Sequence, residues 1–356
     1  MKERISITWL VSLWNALWLL PHKQTLLDDI SQGLAGQGLV PPPQTWRVQH
    51  YNMSLSSMTV LSLGPSPDSL QAIVYISNSD QAARNFEQRA NFLSYLNEEG
   101  SLSDWKRYIS HILYRGSIKR HPYWVMKRLP GILASNVIHD NRKFDPFINN
   151  ASSLISRFHR ETSTVIVVGE KELADWIFTP VDAILRSKLI LYARNCRAIL
   201  GDLSASLSRG LSGREMAVSW THGDYWPENI LVSPDDMTVT GIIDWEQAKP
   251  RSLPSLDLVN LMVSSRRGRE HREMGNILVE LLQKGHLYPY EKKIWDEHFR
   301  LLDGKTPDLQ VALLLFWIQH VASLLQKRNI YLFNPVWIKN NFIRVVNWLE
   351  ENAPLV

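Results

Sequence analysis

The run Thr221-His222-Gly223-Asp224-Tyr225-Trp226-Pro227-Glu228-Asn229-Ile230-Leu231-Val232, followed by Gly241-Ile242-Ile243-Asp244-Trp245-Glu246, holds the side chains most able to do chemistry. Asp224, Asn229 and Asp244 fall in a loop and a hairpin bounded by apolar β-type runs at 230–232 and 239–243, with Ser233-Pro234-Asp235-Asp236 as the turn. Hard oxygen donors held this close suit Mg2+, which takes one or two side-chain oxygens and completes its shell with phosphate oxygens and water. A further carboxylate beside such a site can take a proton from an attacking hydroxyl. Asp and Asn are also ordinary turn formers, so the loop read residue by residue leaves a purely architectural role open.

The elements that must position this run change character along the chain. Between residues 41 and 77 the texture predicts three short antiparallel strands at 45–51, 59–63 and 72–76, separated by 52–57 and by Gly64-Pro65-Ser66-Pro67-Asp68. Asp80 can cap a helix through Phe86, Ala90, Leu93 and Leu96 that ends near Gly100. A further strand at 123–126 leads into Leu129-Pro130-Gly131, a linker. From Ile148 onward the apolar spacing is mostly helical, as at Leu154, Ile155 and Phe158 and over 184–200, with 218–245 as the interruption. The outline is a small β-rich lobe followed by a larger helical one.

Composition narrows the function classes. Of 356 residues, 45% are hydrophobic and 21% charged, enough to bury a substantial core. Lys+Arg 39 against Asp+Glu 35 gives only +4, without a long basic block, which argues against a nucleic-acid partner. The single cysteine, Cys196, can form neither an internal disulfide nor a cysteine cluster for zinc, so a reducing, cytoplasmic setting is expected. The least polar stretch, 5–20, carries Trp9, Trp14 and Trp18 behind Lys2 and Arg4. As a helix it spans ~24 Å, short of the ~30 Å hydrocarbon core, and no small-residue cleavage site follows it. Thr8, Ser12 and Asn15 share one stripe, the pattern of a helix lying on the protein body; peripheral membrane contact through residues 5–20 is the alternative.

His-Gly-Asp followed five residues later by Asn, and fifteen after that by an Asp in an apolar strand, resembles the aminoglycoside phosphotransferase and choline kinase group of the protein-kinase-like fold. The resemblance implies an α+β, bilobal fold: an N-terminal apolar helix and linker over 1–40, a β-rich nucleotide-binding lobe over 41–128, and a mainly helical catalytic and acceptor-binding lobe over 129–356. It implies a small-molecule kinase that moves the γ-phosphoryl group of ATP, or GTP, to a hydroxyl acceptor such as a sugar or amino alcohol. In that family the Asp of the triplet positions or deprotonates the acceptor hydroxyl, and the Asn and the later Asp hold Mg2+; the matching positions are Asp224, Asn229 and Asp244. Asp257, in Pro254-Ser255-Leu256-Asp257-Leu258, resembles the helix-start residue that braces the loop. His222 is expected to support that loop, and Glu246 either approaches metal or substrate or faces water. The run Tyr123 to Gly131 resembles the interlobe hinge, with Met126 and Arg128 as nucleotide contacts, while Ser54 and Ser56 are expected to cover phosphates.

The chain also departs from the family pattern. Where the third strand normally carries a Lys on the phosphates, held by a helix Glu, Tyr75 stands at the strand position and Gln88 or Arg89 near the helix position. Losing that cation removes a contact of ~1.5–3 kcal/mol unless Arg84 or Arg89 replaces it. A second reading follows, a catalytically weak or inactive kinase-like protein that binds a nucleotide or a partner. The compact basic cluster at 264–272 is expected on an exposed loop or helix end, with an anionic acceptor or partner as the alternative. Aromatics such as Trp295, Trp317, Trp337 and Trp348 are expected in the core by their helical spacing, although aromatic faces also stack on sugar rings.

Overall fold

Leu26, Ile30 and Leu34 recur at four-residue spacing and form one buried stripe of helix α1 (Lys23–Gly36). The computed structural model describes residues 20–36, 46–53, 58–67, 69–98, 100–284, 287–327, 332 and 334–352, and the chain divides into two units, 1–130 and 131–356. Apart from Leu20, the apolar segment 5–20 lies outside the described residues.

In the first unit α1 covers a five-stranded antiparallel sheet. Its strands are β1 (Arg47–Met53), β2 (Met58–Gly64), β3 (Ala72–Ser77), β4 (Ile112–Ile118) and β5 (His121–Lys127), in the order β1-β2-β3-β5-β4. Successive side chains on a strand take opposite faces. Leu61, Leu63, Ala72, Val74, Ile76, Tyr123 and Val125 therefore join the stripe of α1 in one core. Gly33 allows the helix to close on β4, because a Cβ there would lie 2.1 Å from the Tyr114 ring. Residues of the other parity, Tyr75 and Trp124, meet Phe86 of helix α2 (Asp80–Glu98), with ring centroids 5.1 and 4.4 Å from it. Being covered on both faces explains why Tyr123 to Met126 form an unbroken apolar run.

The second unit contains two three-stranded antiparallel sheets set among helices. In chain order its elements are β6 (Ile132–Leu133), α3 (Asn141–Glu161), β7 (Thr164–Val167), α4 (Thr179–Arg186), α5 (Cys196–Leu211), β8 (Glu215–Thr221), β9 (Ile230–Val232), β10 (Val239–Ile242), β11 (Lys249–Ser252), α6 (Ser255–Glu270), α7 (Met274–Lys284), α8 (Pro289–Leu301), α9 (Leu309–Lys327) and α10 (Arg344–Glu351). The sheets have the orders β10-β9-β6 and β11-β8-β7. Helix α3 starts at Asp140, whose carboxylate accepts the Arg142 N–H at 2.9 Å, and it buries Phe144, Phe147, Ile148, Ala151, Ile155 and Phe158. Helix α9 is buried all round from Val311 to Ile318, as its uniformly apolar sequence requires. Trp295, Trp317, Trp337 and Trp348 all lie in the core. Among the described residues no helix is long and apolar enough to cross a membrane.

Two expectations change here. The apolar stretch 184–200 is not one helix: α4 stops at Arg186, a single turn spans Lys188–Leu191, and α5 begins after Asn195, which is left-handed at φ 54°. The basic cluster at 264–272 does form a helix end, closing α6 with Arg267 and Arg269 in its last turn, but its side chains are not all exposed. Arg266 is buried in a two-pronged ion pair with Glu291 and lies 3.9 Å over the Tyr288 ring. Arg269 donates to the Ile138 carbonyl at 2.7 Å, and Arg272 pairs with Glu270 and Glu280, each at 2.8 Å. A guanidinium taken out of water must find carboxylates, so this cluster ties α6 to its neighbours.

Candidate active site

Strand β8 ends at Thr221, and the chain then bends at Gly223. Its φ of +77° and the 2.4 Å between a Cβ there and the Gln247 carbonyl oxygen leave room for glycine alone without displacement. The bend packs the loop after β8 against the turn after β10. Asp257, buried in the first turn of α6, fixes it: Oδ2 accepts the His222 N–H at 2.7 Å and Oδ1 accepts the Gly223 N–H at 2.8 Å. The same Oδ2 lies 3.1 Å from Nε2 of His159 in α3. Tyr225, fully buried, anchors the loop from the other side by donating to the Ala151 carbonyl at 2.9 Å. Burial first, and Asp257 second, push its phenol well above the ordinary range.

Both nitrogens of His222 serve the loop. Nδ1 accepts the Asp224 N–H at 3.2 Å, so the hydrogen sits on Nε2, which donates to the Ile243 carbonyl at 2.9 Å. The ring also packs on Trp245, with centroids 4.6 Å apart. Both ring nitrogens are thus engaged by backbone groups of the loop and of the strand end that follows β10.

Asn229 and Asp244 come together through the β9–β10 pairing. Ile230 faces Ile242 in that ladder, and the Ile243 N–H donates to the Asn229 carbonyl at 2.9 Å. The Asn229 side chain is buried and its Nδ2 donates to the Asp224 carbonyl at 2.9 Å, so Oδ1 is the atom it can offer a cation. Asp244 follows the strand in a left-handed conformation (φ 63°, ψ 56°), a region Asp tolerates better than most residues. Asn229 Oδ1 and the Asp244 carboxylate are two hard oxygens on neighbouring strand ends. That donor set fits Mg2+ bound jointly by protein and phosphate. Asp224 is half-buried on the loop that leads from β8 to Asn229.

Beneath the loop lies a histidine pair that sequence reasoning missed. His298 of α8 is buried with Nδ1 2.9 Å from the Ser156 hydroxyl, and its ring meets His159 edge-on at 5.5 Å. Burial, reinforced by His159, holds the His298 imidazole well below its ordinary range. His159 Nδ1 and His298 Nε2 are buried without hydrogen-bond partners. The available signal was the place of His159 on the apolar face of α3, one turn after Ile155.

Asp224, Asn229, His222 and Asp257 thus form one hydrogen-bonded group, and Asp244 follows Ile243, which bonds to both Asn229 and His222 through its backbone. Tyr75, Met126 and Arg128 belong to the first unit. Tyr75 packs on Phe86; Met126 is buried in β5 between Ile73 and Ile112; the Arg128 N–H donates to the Gln71 carbonyl at 3.1 Å. Ser54, Ser56 and the Glu246 side chain lie outside the described residues. Glu87 of α2 accepts the Trp124 indole N–H at 3.2 Å and pairs with Arg115 at 3.3 Å.

Residues 60–282 match the model of the phosphotransferase enzyme family, APH. No curated protein matches the chain. Among solved structures, a candidate aminoglycoside phosphotransferase from Ralstonia eutropha JMP134 matches with TM-score 0.56 at 11% identity, over 92% of this chain and 98% of its own. A candidate fructosamine-3-kinase from Haemophilus somnus 129PT matches with TM-score 0.51 at 14% identity, over 90% and 96%. The aminoglycoside phosphotransferase APH(3'')-Id of Streptomyces rimosus ATCC10970 has TM-score 0.49 at 16% identity, over 83% and 98%. The fold is accordingly α+β and protein-kinase-like, with an antiparallel sheet in the N-terminal part and helices dominating the C-terminal part.

Proposed function

Because the chain belongs to the phosphotransferase enzyme family, we propose that it moves the γ-phosphoryl group of ATP, or GTP, to a hydroxyl of a small molecule, with sugars and amino alcohols as the acceptor class. The observation that carries this reading is that Asn229 bonds to the Asp224 carbonyl through its side chain and to Ile243, the residue before Asp244, through its backbone. Asp224 aims the acceptor hydroxyl at the phosphorus and takes its proton as the new P–O bond forms and the bond to the nucleoside diphosphate breaks. Asn229 Oδ1 and the Asp244 carboxylate would hold Mg2+, which when bound would supply electrostatic stabilisation of charge on the transferring group. His222 and Asp257 position the loop. Glu246 keeps both of its expected places, an approach to metal or substrate or a side chain facing water. Nucleotide contacts for Ser54, Ser56, Tyr75, Met126 and Arg128 draw on their places in the family pattern.

One observation favours a second reading. Tyr75 is packed on Phe86, and Glu87 of the same helix is engaged by Trp124 and Arg115, so an aromatic cluster fills the strand position where relatives carry a cation. A chain built this way could bind nucleotide and transfer slowly or not at all. The two readings separate on incubation with Mg2+–ATP and a panel of sugars, amino alcohols, aminoglycosides and fructosamines, followed by mass spectrometry. A phosphorylated product that disappears in Asp224→Asn supports the first. Nucleotide binding without product from any acceptor supports the second.

A further inference from the structure

We propose that the loop between α4 and α5 is a docking surface for an anionic lipid membrane. Residues 186–197 read Arg-Ser-Lys-Leu-Ile-Leu-Tyr-Ala-Arg-Asn-Cys-Arg, four cations without an acid. The turn that presents them is built. The Ser187 hydroxyl donates to the Ile184 carbonyl at 2.7 Å and accepts the Leu189 N–H at 3.2 Å, the Tyr192 N–H closes on the Leu189 carbonyl at 3.0 Å, and Leu189 is buried as its anchor. Outside that anchor Leu191 is 79% exposed and Tyr192 49%. The Tyr192 hydroxyl donates to the Leu332 carbonyl at 3.4 Å, which holds its ring at the surface.

Charge and shape together select the occupant. Arg186, Lys188, Arg194 and Arg197 are all exposed. Arg186 is paired with Asp182 at 2.8 Å, and Glu350 accepts the Asn195 amide at 3.1 Å, so two acids lie beside the loop against its four cations. An apolar side chain standing this far out is convex, and a protein partner would have to supply the pocket for it. A second copy of the loop would bring four cations against four. A bilayer requires no preformed pocket: Leu191 enters the acyl boundary, Tyr192 lies at headgroup level, and the Lys and Arg stems carry their charges to lipid phosphates. Each such cation strengthens binding to an anionic leaflet about fivefold.

The test uses the full chain in co-sedimentation with vesicles of phosphatidylcholine alone or with about 25% phosphatidylserine. Binding is expected to the anionic vesicles only and to weaken with salt. Leu191→Ser with Tyr192→Ser is expected to lower it about tenfold, and Arg194→Glu with Arg197→Glu by more than tenfold, with melting temperatures unchanged. If either pair melts lower, Leu191→Met with Tyr192→Phe and Arg194→Lys with Arg197→Lys, which keep apolar area and charge, must retain binding. Absence of binding to anionic vesicles overturns the proposal. So does binding that survives both original substitutions, which would place it elsewhere in the chain.

Discussion

The Asp257 carboxylate accepts the His222 backbone N–H at 2.7 Å across 35 residues of sequence, so the path of the loop that carries Asp224 is dictated by helix α6. A charge-assisted bond of this kind is about twice as strong as a neutral one, and the second carboxylate oxygen makes another to Gly223. The loop is therefore set before any substrate arrives, and Asp224 can be altered without moving its backbone.

Asp224→Asn keeps the shape and removes both charge and basicity. The expected loss in kcat is ~10²–10⁴-fold with nucleotide affinity nearly unchanged. Steady-state kinetics and calorimetric nucleotide titration check it. Full turnover in a well-folded variant would remove Asp224 from the chemistry.

Asn229 does two things that substitution can separate. Asn229→Asp keeps an oxygen for the cation but replaces the amide donor to the Asp224 carbonyl with a second acceptor. It is expected to retain Mg2+-dependent nucleotide binding while kcat and melting temperature both fall. Asp244→Asn is expected to weaken Mg2+-dependent binding itself. Calorimetry with and without Mg2+ distinguishes the two, and equal loss of binding in both would contradict this division.

Gly223→Ala meets both obstacles at once, a left-handed backbone and a carbonyl oxygen 2.4 Å from the new methyl. Left-handed strain at a non-glycine residue costs about 1–3 kcal/mol before any clash is counted. A lower denaturant midpoint with an unchanged slope is expected. Wild-type stability would show that the turn after β10 yields easily.

His298 makes stability depend on pH. Its folded imidazole is held well below the ordinary value of about 6.5, so above that pH neither folded nor unfolded chain binds the proton and the contribution to stability is complete. As pH falls below about 6.5 the unfolded chain takes up a proton that the folded chain refuses, and stability declines by up to about 1.4 kcal/mol per pH unit. Melting temperature followed from about pH 7.5 to about pH 5 is expected to drop, and to drop less steeply in His298→Gln. Identical slopes would assign the acid sensitivity to other groups.

Legibility in the sequence followed the range of each interaction. The strands β2 and β3, the hairpin of β9 and β10 and the start of α6 announce themselves because their turns and periodicity are local. Strand β4 escaped because Arg115 and Gly116 interrupt its alternation, which an edge strand tolerates; a Cβ on Gly116 would meet the Tyr123 ring at 2.4 Å. Helix α1 escaped because its stripe is only three residues wide and acquires meaning from the sheet beneath it. The break at Asn195 is a single backbone angle, and apolar spacing continues across it. The partners of Arg266 and of His298 stand 25 and 142 residues away, separations at which periodicity carries no information.

Helix α1 also sets where the protein can be cut. The stretch that matches the family model opens at residue 60, inside β2, and closes at residue 282, before α8 and α9. A fragment with those ends would present Leu61, Val74, Ile76 and Val125 to water on one face and would lose the helix containing Trp317, the surfaces from which chains associate and precipitate. The smallest autonomous folding unit is thus longer than the stretch by which its ancestry is recognised, and deletion series must begin before Lys23 and run past α10.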